Sequence, residues 1–530
     1  MSEERKIYVR RASGLVRGIG PISALAICFG AICIGGGRFL PLIACISWPG
    51  LHAIGWLLLG FILCIFPAIL YSQIGGSMPR SGGDYVFVSR VLHPIVGFMM
   101  SFVFMITLAF TLGGGTVTTA VYEGVGLCAW TLGLLYKNPA WIQWGIEAAV
   151  SPFWWFVLGT IMMVIALIIM LLPMKVWIRV FQASLILSLA TAIVMGIIFA
   201  VNTYESFVAS WNRLLPEVPY TQFISTAEAQ GAPIGVPISL SASLAGAVLA
   251  YWLYLGYQYA AFFAGEIKDA TKSIPIAVLG SLVAGVIGHL VVYVPAVPVV
   301  THDYLAAAGW LFYVTPGALP ISFTGIDFAS FVLFPNPIWV ILVTGGTILT
   351  HLAFWMTAML VISRTMFSWA FDRIMPEKLA YVTERTRTPI VTMIISFILI
   401  ELGLAVACFM GVVLVHFNWL FIATLMPAIA AIAAITFPLI RRHLLEISPS
   451  YVRKGNFVAI AGVISLAVYL FMAYTILVLP AIYGPVTEWT VTWIISLAVL
   501  AIIIYLVSRW YRLKTEGIDI TLAFKEIPPA

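Results

Sequence analysis

Ala31-Ile32-Cys33-Ile34-Gly35-Gly36-Gly37-Arg38-Phe39-Leu40-Pro41 lies in the middle of the first long apolar stretch of this chain. Its three consecutive glycines decide how the rest is read. Each costs a helix about 1 kcal/mol against alanine, and none carries a Cβ to hold a ligand away from the backbone. The helix is therefore expected to unwind there. A later apolar stretch is interrupted in the same way at Tyr254-Leu255-Gly256-Tyr257-Gln258. Bare amides and carbonyls are too costly in lipid, so such a break survives only where it lines a protein cavity or a bound solute. Two breaks, each heading one of two similar halves, point to a solute site near the bilayer midplane.

Working outward, 62% of the 530 residues are hydrophobic and 9% are charged, too little polar surface to coat a water-soluble globule. About 20 apolar residues cross the hydrocarbon core as a helix. Spans are expected at 20–46, 52–74, 91–122, 152–172, 176–201, 238–265, 274–299, 337–368, 388–411, 416–440, 456–480 and 488–509. The arm from Met1 to Arg17 is polar and basic, without a short apolar core and small-residue cleavage site, and is expected to be retained.

Lys and Arg set the orientation. With the N-terminus inside, the inside segments hold Arg5, Lys6, Arg10, Arg11, Arg17, Arg80, Arg90, Lys175, Arg179, Lys268 and Lys272. They also hold Arg364, Arg373, Lys378, Arg385, Arg387, Arg441, Arg442, Arg453, Lys454, Arg509, Arg512, Lys514 and Lys525. Lys137 and Arg213 alone lie outside, and Arg38 stands within a span. One missed crossing would scramble this asymmetry, so both termini are expected to be cytoplasmic and the membrane to be the plasma membrane. The net charge of +6 is spread over every inside loop, without the basic patch or helix that nucleic acid binding requires. Cys28, Cys33, Cys45, Cys64 and Cys408 fall in spans and Cys128 in an outside loop, without CxxC or Cys/His metal spacing.

Spans one to five and six to ten form two sets of like layout, each opening on a broken helix and each with a long third member. Five is odd, so the second set enters from the opposite side, an inverted repeat over 20–201 and 238–440, with the last two helices and the tail at 441–530. The expected fold is all-α integral membrane, one transporter domain over 1–530. The outside segments 123–151, 202–237 and 300–336, together with the start of the fourth span, carry Trp130, Trp141, Trp144, Trp154, Trp155, Trp211 and Trp310, read as interfacial anchors or a lid. No segment is long enough for a separate cytosolic ATPase.

At the first break, the outer half-helix is expected to begin near Arg38 with free N–H groups and a positive dipole end, suited to a carboxylate. The inner half is expected to end near Ile34 with free carbonyls, suited to an ammonium. Cys33, Ile34, Gly35, Gly36, Gly37 and Arg38 thus describe a socket for a zwitterion, against the alternative of a close glycine-mediated helix contact. Trp252, Tyr254, Gly256, Tyr257 and Gln258 of the second break are expected to close over the solute, although aromatics also serve as plain packing.

These breaks and two further motifs resemble the amino acid/polyamine/organocation superfamily of permeases. One is Met78-Pro79-Arg80-Ser81-Gly82-Gly83-Asp84-Tyr85-Val86-Phe87-Val88-Ser89-Arg90; the other is Ala264-Gly265-Glu266-Ile267-Lys268-Asp269-Ala270-Thr271-Lys272-Ser273-Ile274-Pro275. Ser363-Arg364, Asp372-Arg373, Met375-Pro376 and Thr388-Pro389 extend the match over roughly 15–440. The resemblance implies a leucine-transporter-like five-plus-five repeat, with spans one, two, six and seven moving against three, four, eight and nine. It also implies secondary active transport of amino acids or related amines, with a proton, sodium or exchange as the driving partner. Neither a cofactor nor a metal site is expected.

Two departures stand out. Span five offers only Lys175 and Arg179, both at its cytoplasmic start, in place of the intramembrane lysine that some members use for proton coupling. Sodium held by span-one carbonyls and hydroxyls of Thr347, Thr350 and Thr357 stays open. Arg38 replaces an apolar family residue, and an ionisable group inside a span is a functional hypothesis by default. It is expected to meet a substrate carboxylate, to form a gate with an acidic partner such as Glu123, or to snorkel outward. His351 is read as a hydrogen-bonded core histidine against a proton carrier, Glu401 as a structural carboxyl, and Arg80, Asp84, Arg90, Glu266 and Asp372 as an inner gate or solvated loop charges.

HExxH, GxxxxGK[S/T], GxSxG and paired Cys/His clusters are all missing from the sequence, which argues against an enzyme. The competing readings are an inorganic ion or chloride cotransporter on the same fold and a non-transporting amino acid sensor. The identity of the amino acid and the oligomeric state stay open.

Overall fold

The structure is a computed structural model whose described residues are 14–383, 386–410, 418–479 and 486–527. Arg5, Lys6, Arg10, Arg11 and Arg385 of the orientation argument lie outside these residues, as do 411–417, from the end of the ninth expected span to the start of the tenth. Among the described residues eleven helical stretches are long and apolar enough to cross a membrane, and extended pairing is limited to the isolated bridges Ile19 with Ile267 and Ser81 with Phe263. The chain is a multi-pass integral membrane protein.

The sixth expected crossing, 238–265, is not a single long helix. It is built from the short helices Leu240–Ala245 and Ala247–Trp252, a turn, and 3-10 turns at Tyr257–Ala261 and Ala264–Glu266. The third span runs on past its expected end at 122, through π-helical turns at Leu112–Val117 and Ala120–Gly126, to Tyr136. Segment 123–151 is therefore largely helical, and Cys128 sits on the helix Leu127–Tyr136 rather than in a loop. The seventh span continues to Tyr313 across a break at Thr301, whose φ is 74°.

Local sequence explains the starts. Asn138 and Asn336 each accept two backbone N–H groups at the head of a helix with Pro at its first position, and Thr203 with Ser206 and Thr487 with Thr490 form reciprocal caps.

The first broken span packs against the seventh, eighth and fifth, while the second packs on the sixth and seventh. Small residues bring these backbones together. Gly60 of the second span meets the Ala250 carbonyl of the sixth, and Gly113 of the third span faces Gly403 of the ninth, each against the other helix's backbone. The helix Phe457–Val478 lies along Trp419–Ile440, and Glu488–Glu516 along Pro94–Thr111. Trp130 and Trp211 are fully buried: the segments expected to hold interfacial anchors fold back as helices, and these two rings pack on Phe328, tilted at 4.6 Å and edge-on at 5.6 Å. Trp141 remains exposed.

Candidate transport site

The helix Pro21–Ile32 stops at Cys33, which adopts the left-handed conformation (φ 52°) and donates its N–H to the Gly30 carbonyl. A turn at Ile34 and Gly35 leads into the 3-10 segment Gly36–Phe39, and the α-helix resumes at Leu40–Ser47. The break stands where the glycines place it. Its carbonyls are not all free for a ligand, because that of Cys33 accepts from Gly37 N at 2.7 Å. Each glycine is also required by a neighbour. A methyl group at Gly35 would overlap Thr350 Oγ1, one at Gly36 would overlap the His351 ring, and one at Gly37 would lie 2.9 Å from Leu253 Cδ1.

The second break opens after Trp252. Gly256, at φ 131°, takes a conformation that other residues rarely adopt, and its N–H donates to Gln258 Oε1 at 2.9 Å. A Cβ there would come within 2.6 Å of Ala31 Cβ and 2.7 Å of Ala31 C. The two breaks therefore touch.

Beside this contact is a chamber of about 60 Å³, lined by Cys33, Gly36, Gly37, Trp252, Tyr259 and His351 among others. A larger vestibule of about 530 Å³ adjoins it, and the two share Phe39, Thr111, Thr116, Trp252 and Trp419. The vestibule reaches exposed Val150, Pro152 and Pro316, on the face that carries Lys137 and Arg213. Thr111 Oγ1 is buried without a hydrogen-bond partner, and His351 directs Nδ1 to the Thr347 carbonyl at 2.9 Å.

Of the residues expected at the site, Cys33, Gly36, Gly37 and Trp252 line the chamber. Seven do not, because the turns and 3-10 winding at the two breaks direct them to other contacts. Ile34 packs with Phe29 and Ile32 against Leu185 and Leu189. Gly35 lies on Thr350 and Gly256 on Ala31, while Gln258 is used by Gly256 N. The Tyr254 hydroxyl donates to Leu57 O at 2.9 Å, and Tyr257 pairs with the Tyr251 hydroxyl at 3.3 Å. Arg38, only 3% exposed, bonds Asp327 Oδ1 through Nη1 at 2.5 Å.

That pair corrects the expected partner: Asp327, not Glu123, holds the guanidinium. The short helix Ile326–Leu333 brings Asp327 inward from a segment that sequence alone reads as an outside loop. Thr347 donates to its other oxygen at 3.3 Å, and the Tyr293 hydroxyl donates to the Arg38 carbonyl at 2.6 Å. Among the lining residues that sequence reading missed are Tyr259, Thr111, Thr116, Phe354 and Trp419. The run Gly113-Gly114-Gly115 is the one sequence signal that marks this part of the third span.

The opposite, basic face carries two buried ion pairs. Arg364 grips Glu266 through Nε at 2.6 Å and Nη2 at 3.0 Å. Arg90 grips Asp372 with two bonds of 2.7 Å, and the Tyr85 hydroxyl adds a third at 2.7 Å. Asp84 accepts instead from Tyr71 at 3.1 Å, and Arg80 bonds the Pro79 carbonyl. Glu401 accepts from Thr160 at 2.9 Å, the structural pairing expected of it. Among the described residues no carboxylate side chain lines the chamber or the vestibule.

Comparison with known proteins adds four findings. A family model described as amino acid permease matches residues 25–517. Cationic amino acid transporter 3, mitochondrial, of Arabidopsis thaliana is 21% identical over 350 residues, 65% of this chain and 50% of that protein. Cationic amino acid transporter 9, chloroplastic, of the same plant is 23% identical over 283 residues, 52% and 44% of the two chains. Large neutral amino acids transporter small subunit 2 of Homo sapiens is 35% identical over 88 residues, 16% of each. The matched stretch spans about half the length of the two plant relatives.

Proposed function

Because this chain belongs to the amino acid permease family, we propose that it is a secondary transporter carrying an amino acid across the membrane by alternating access, driven by an ion gradient or by exchange. The contact of the two breaks at Gly256 and Ala31, beside a chamber continuous in its lining with the vestibule, carries this reading. The substrate's charged ends meet the unwound backbone around Cys33–Gly37, and its side chain lies against Trp252. On this reading the vestibule is extracellular, the two ion-paired locks face the cytoplasm, the host membrane is the plasma membrane, and the two halves are an inverted five-helix repeat.

We further infer a neutral side chain for the substrate. A cationic one would need a counter-charge at low dielectric, and the chamber offers aromatic, aliphatic and hydroxyl groups instead. The names of the plant relatives point the other way, so cationic and neutral amino acids are the informative contrast.

The test is a thermal-shift screen of purified protein against single amino acids, followed by counterflow of the hits in proteoliposomes. A ligand that binds only the folded state raises the midpoint by mass action. Stabilisation by leucine- or phenylalanine-like substrates, with labelled counterflow, is the expected result. Hits confined to inorganic anions overturn the reading, and hits confined to arginine or lysine overturn the neutral side chain.

A further inference from the structure

The second π-helical turn of the third span holds a carboxylate that the chamber does not use. Glu123 is 3% exposed, and neither of its oxygens has a hydrogen-bond partner. It lies within electrostatic reach of both Arg38 and Asp327. Arg38 holds Asp327 through Nη1 alone, and its Nε has no acceptor. A buried cluster therefore contains an unused donor and two unused acceptors that do not meet.

The groups around it come from every packed element. The first broken span supplies Cys33 and Arg38, the seventh span His289 and Tyr293, the eighth His351, and the short helix Ile326–Leu333 Asp327. Both ring nitrogens of His289 are unpartnered. The helix Leu127–Tyr136 carries Cys128, beside Thr344, and the exposed Tyr136; Glu147 of Pro139–Val150 is engaged at the surface by Trp154, and Pro152–Leu171 has no titratable side chain.

Charge counting decides what such a cluster can hold. Arg38 and Asp327 cancel, so an ionised Glu123 would be a second carboxylate without a donor, at a cost of several kcal/mol per buried ion. Two carboxylates that share one site do not both ionise freely. π-helical turns and unpartnered buried polar groups also gather at functional positions.

We propose that Glu123, Asp327 and Arg38 form a one-proton site, with the proton on whichever carboxylate Arg38 does not hold. In the present arrangement it sits on Glu123. When the first break moves and the guanidinium turns to Glu123, the Glu123 O–H bond breaks and one forms on Asp327, conserving the proton. The proton stays within the site, out of reach of the vestibule that Tyr122 lines. The movement of the first break rests on the alternating-access reading above.

Infrared difference spectroscopy of the purified protein at neutral pH reads the site directly. The expected spectrum has a protonated-carboxyl band that Glu123→Gln removes. Asp327→Asn removes it too, because Arg38 is then free to pair with an ionised Glu123. A band unchanged in both variants, or no such band in the wild type, overturns the proposal. In proteoliposomes, Glu123→Gln, which has no carboxyl proton to pass to Asp327, should lose most of the uptake that the wild type shows. Wild-type uptake by that variant overturns the transfer. Failure of the wild type to move any amino acid would count against the transport reading alone, since the band still judges the proton site.

Discussion

Gly256 lies against Ala31 so closely that a Cβ on it would come within 2.6 Å of the Ala31 Cβ. Each of these residues sits beside the point where its own span loses its winding. A break in one span is thus seated on the break in the other, and backbone that lipid would penalise is covered by protein.

Gly256→Ala meets both this contact and a positive φ. Strain of about 1–3 kcal/mol is expected from the backbone conformation alone, and pushing the spans apart adds to it. The variant should show a lower thermal midpoint and lose uptake. Wild-type transport by Gly256→Ala would show that the two breaks need not touch.

Gly36→Ala and Gly345→Ala form an internally controlled pair. Gly36 faces the His351 ring, whereas a Cβ at Gly345 meets nothing within 4 Å in the interior of the helix Pro337–Phe371. Gly345→Ala should be neutral or more stable, by up to about 1 kcal/mol, with uptake preserved. Gly36→Ala should lose both stability and uptake, and equal midpoints for the two would refute the close approach of the eighth span.

Breaking the Arg364–Glu266 pair should open the basic face. Removing one partner leaves the other charged and buried, at a cost of about 3–5 kcal/mol, while replacing both with apolar residues is close to neutral. Glu266→Gln should therefore lower the midpoint and let an impermeant thiol reagent reach Cys33 from the basic side. The double variant Glu266→Leu, Arg364→Met should recover most of the stability. Labelling confined to the vestibule side in Glu266→Gln would show that this pair is not a lock.

Trp252 lines both the chamber and the vestibule. Its removal forfeits burial against the substrate worth about 1.5–3 kcal/mol, roughly a 10- to 100-fold weaker dissociation constant. Titration of the thermal midpoint with the best ligand measures this in Trp252→Ala. An unchanged affinity removes the residue from the site.

The sequence carried the breaks because glycine's weak helix preference is local, and it carried the membrane class because apolar length is additive along the chain. It did not carry the facing of Tyr254, Tyr257 or Gln258. Those directions depend on one positive φ at Gly256 and on 3-10 winding after it, which shift the register of every side chain beyond. Trp130 and Trp211 were legible as tryptophans outside the spans, but not as core, since their burial against Phe328 depends on how distant segments fold back.

Arg38 shows the division most clearly. Composition alone marked it as a charge within an apolar span, and the cost of leaving it unpaired required a partner. Which carboxylate supplied that partner was settled by the short helix that delivers Asp327 from 289 residues away, because pairing depends on distance in space. Hydropathy and glycine placement determined a membrane bundle with two interrupted helices. Long-range packing decided which side chains face the chamber and which acids face each base.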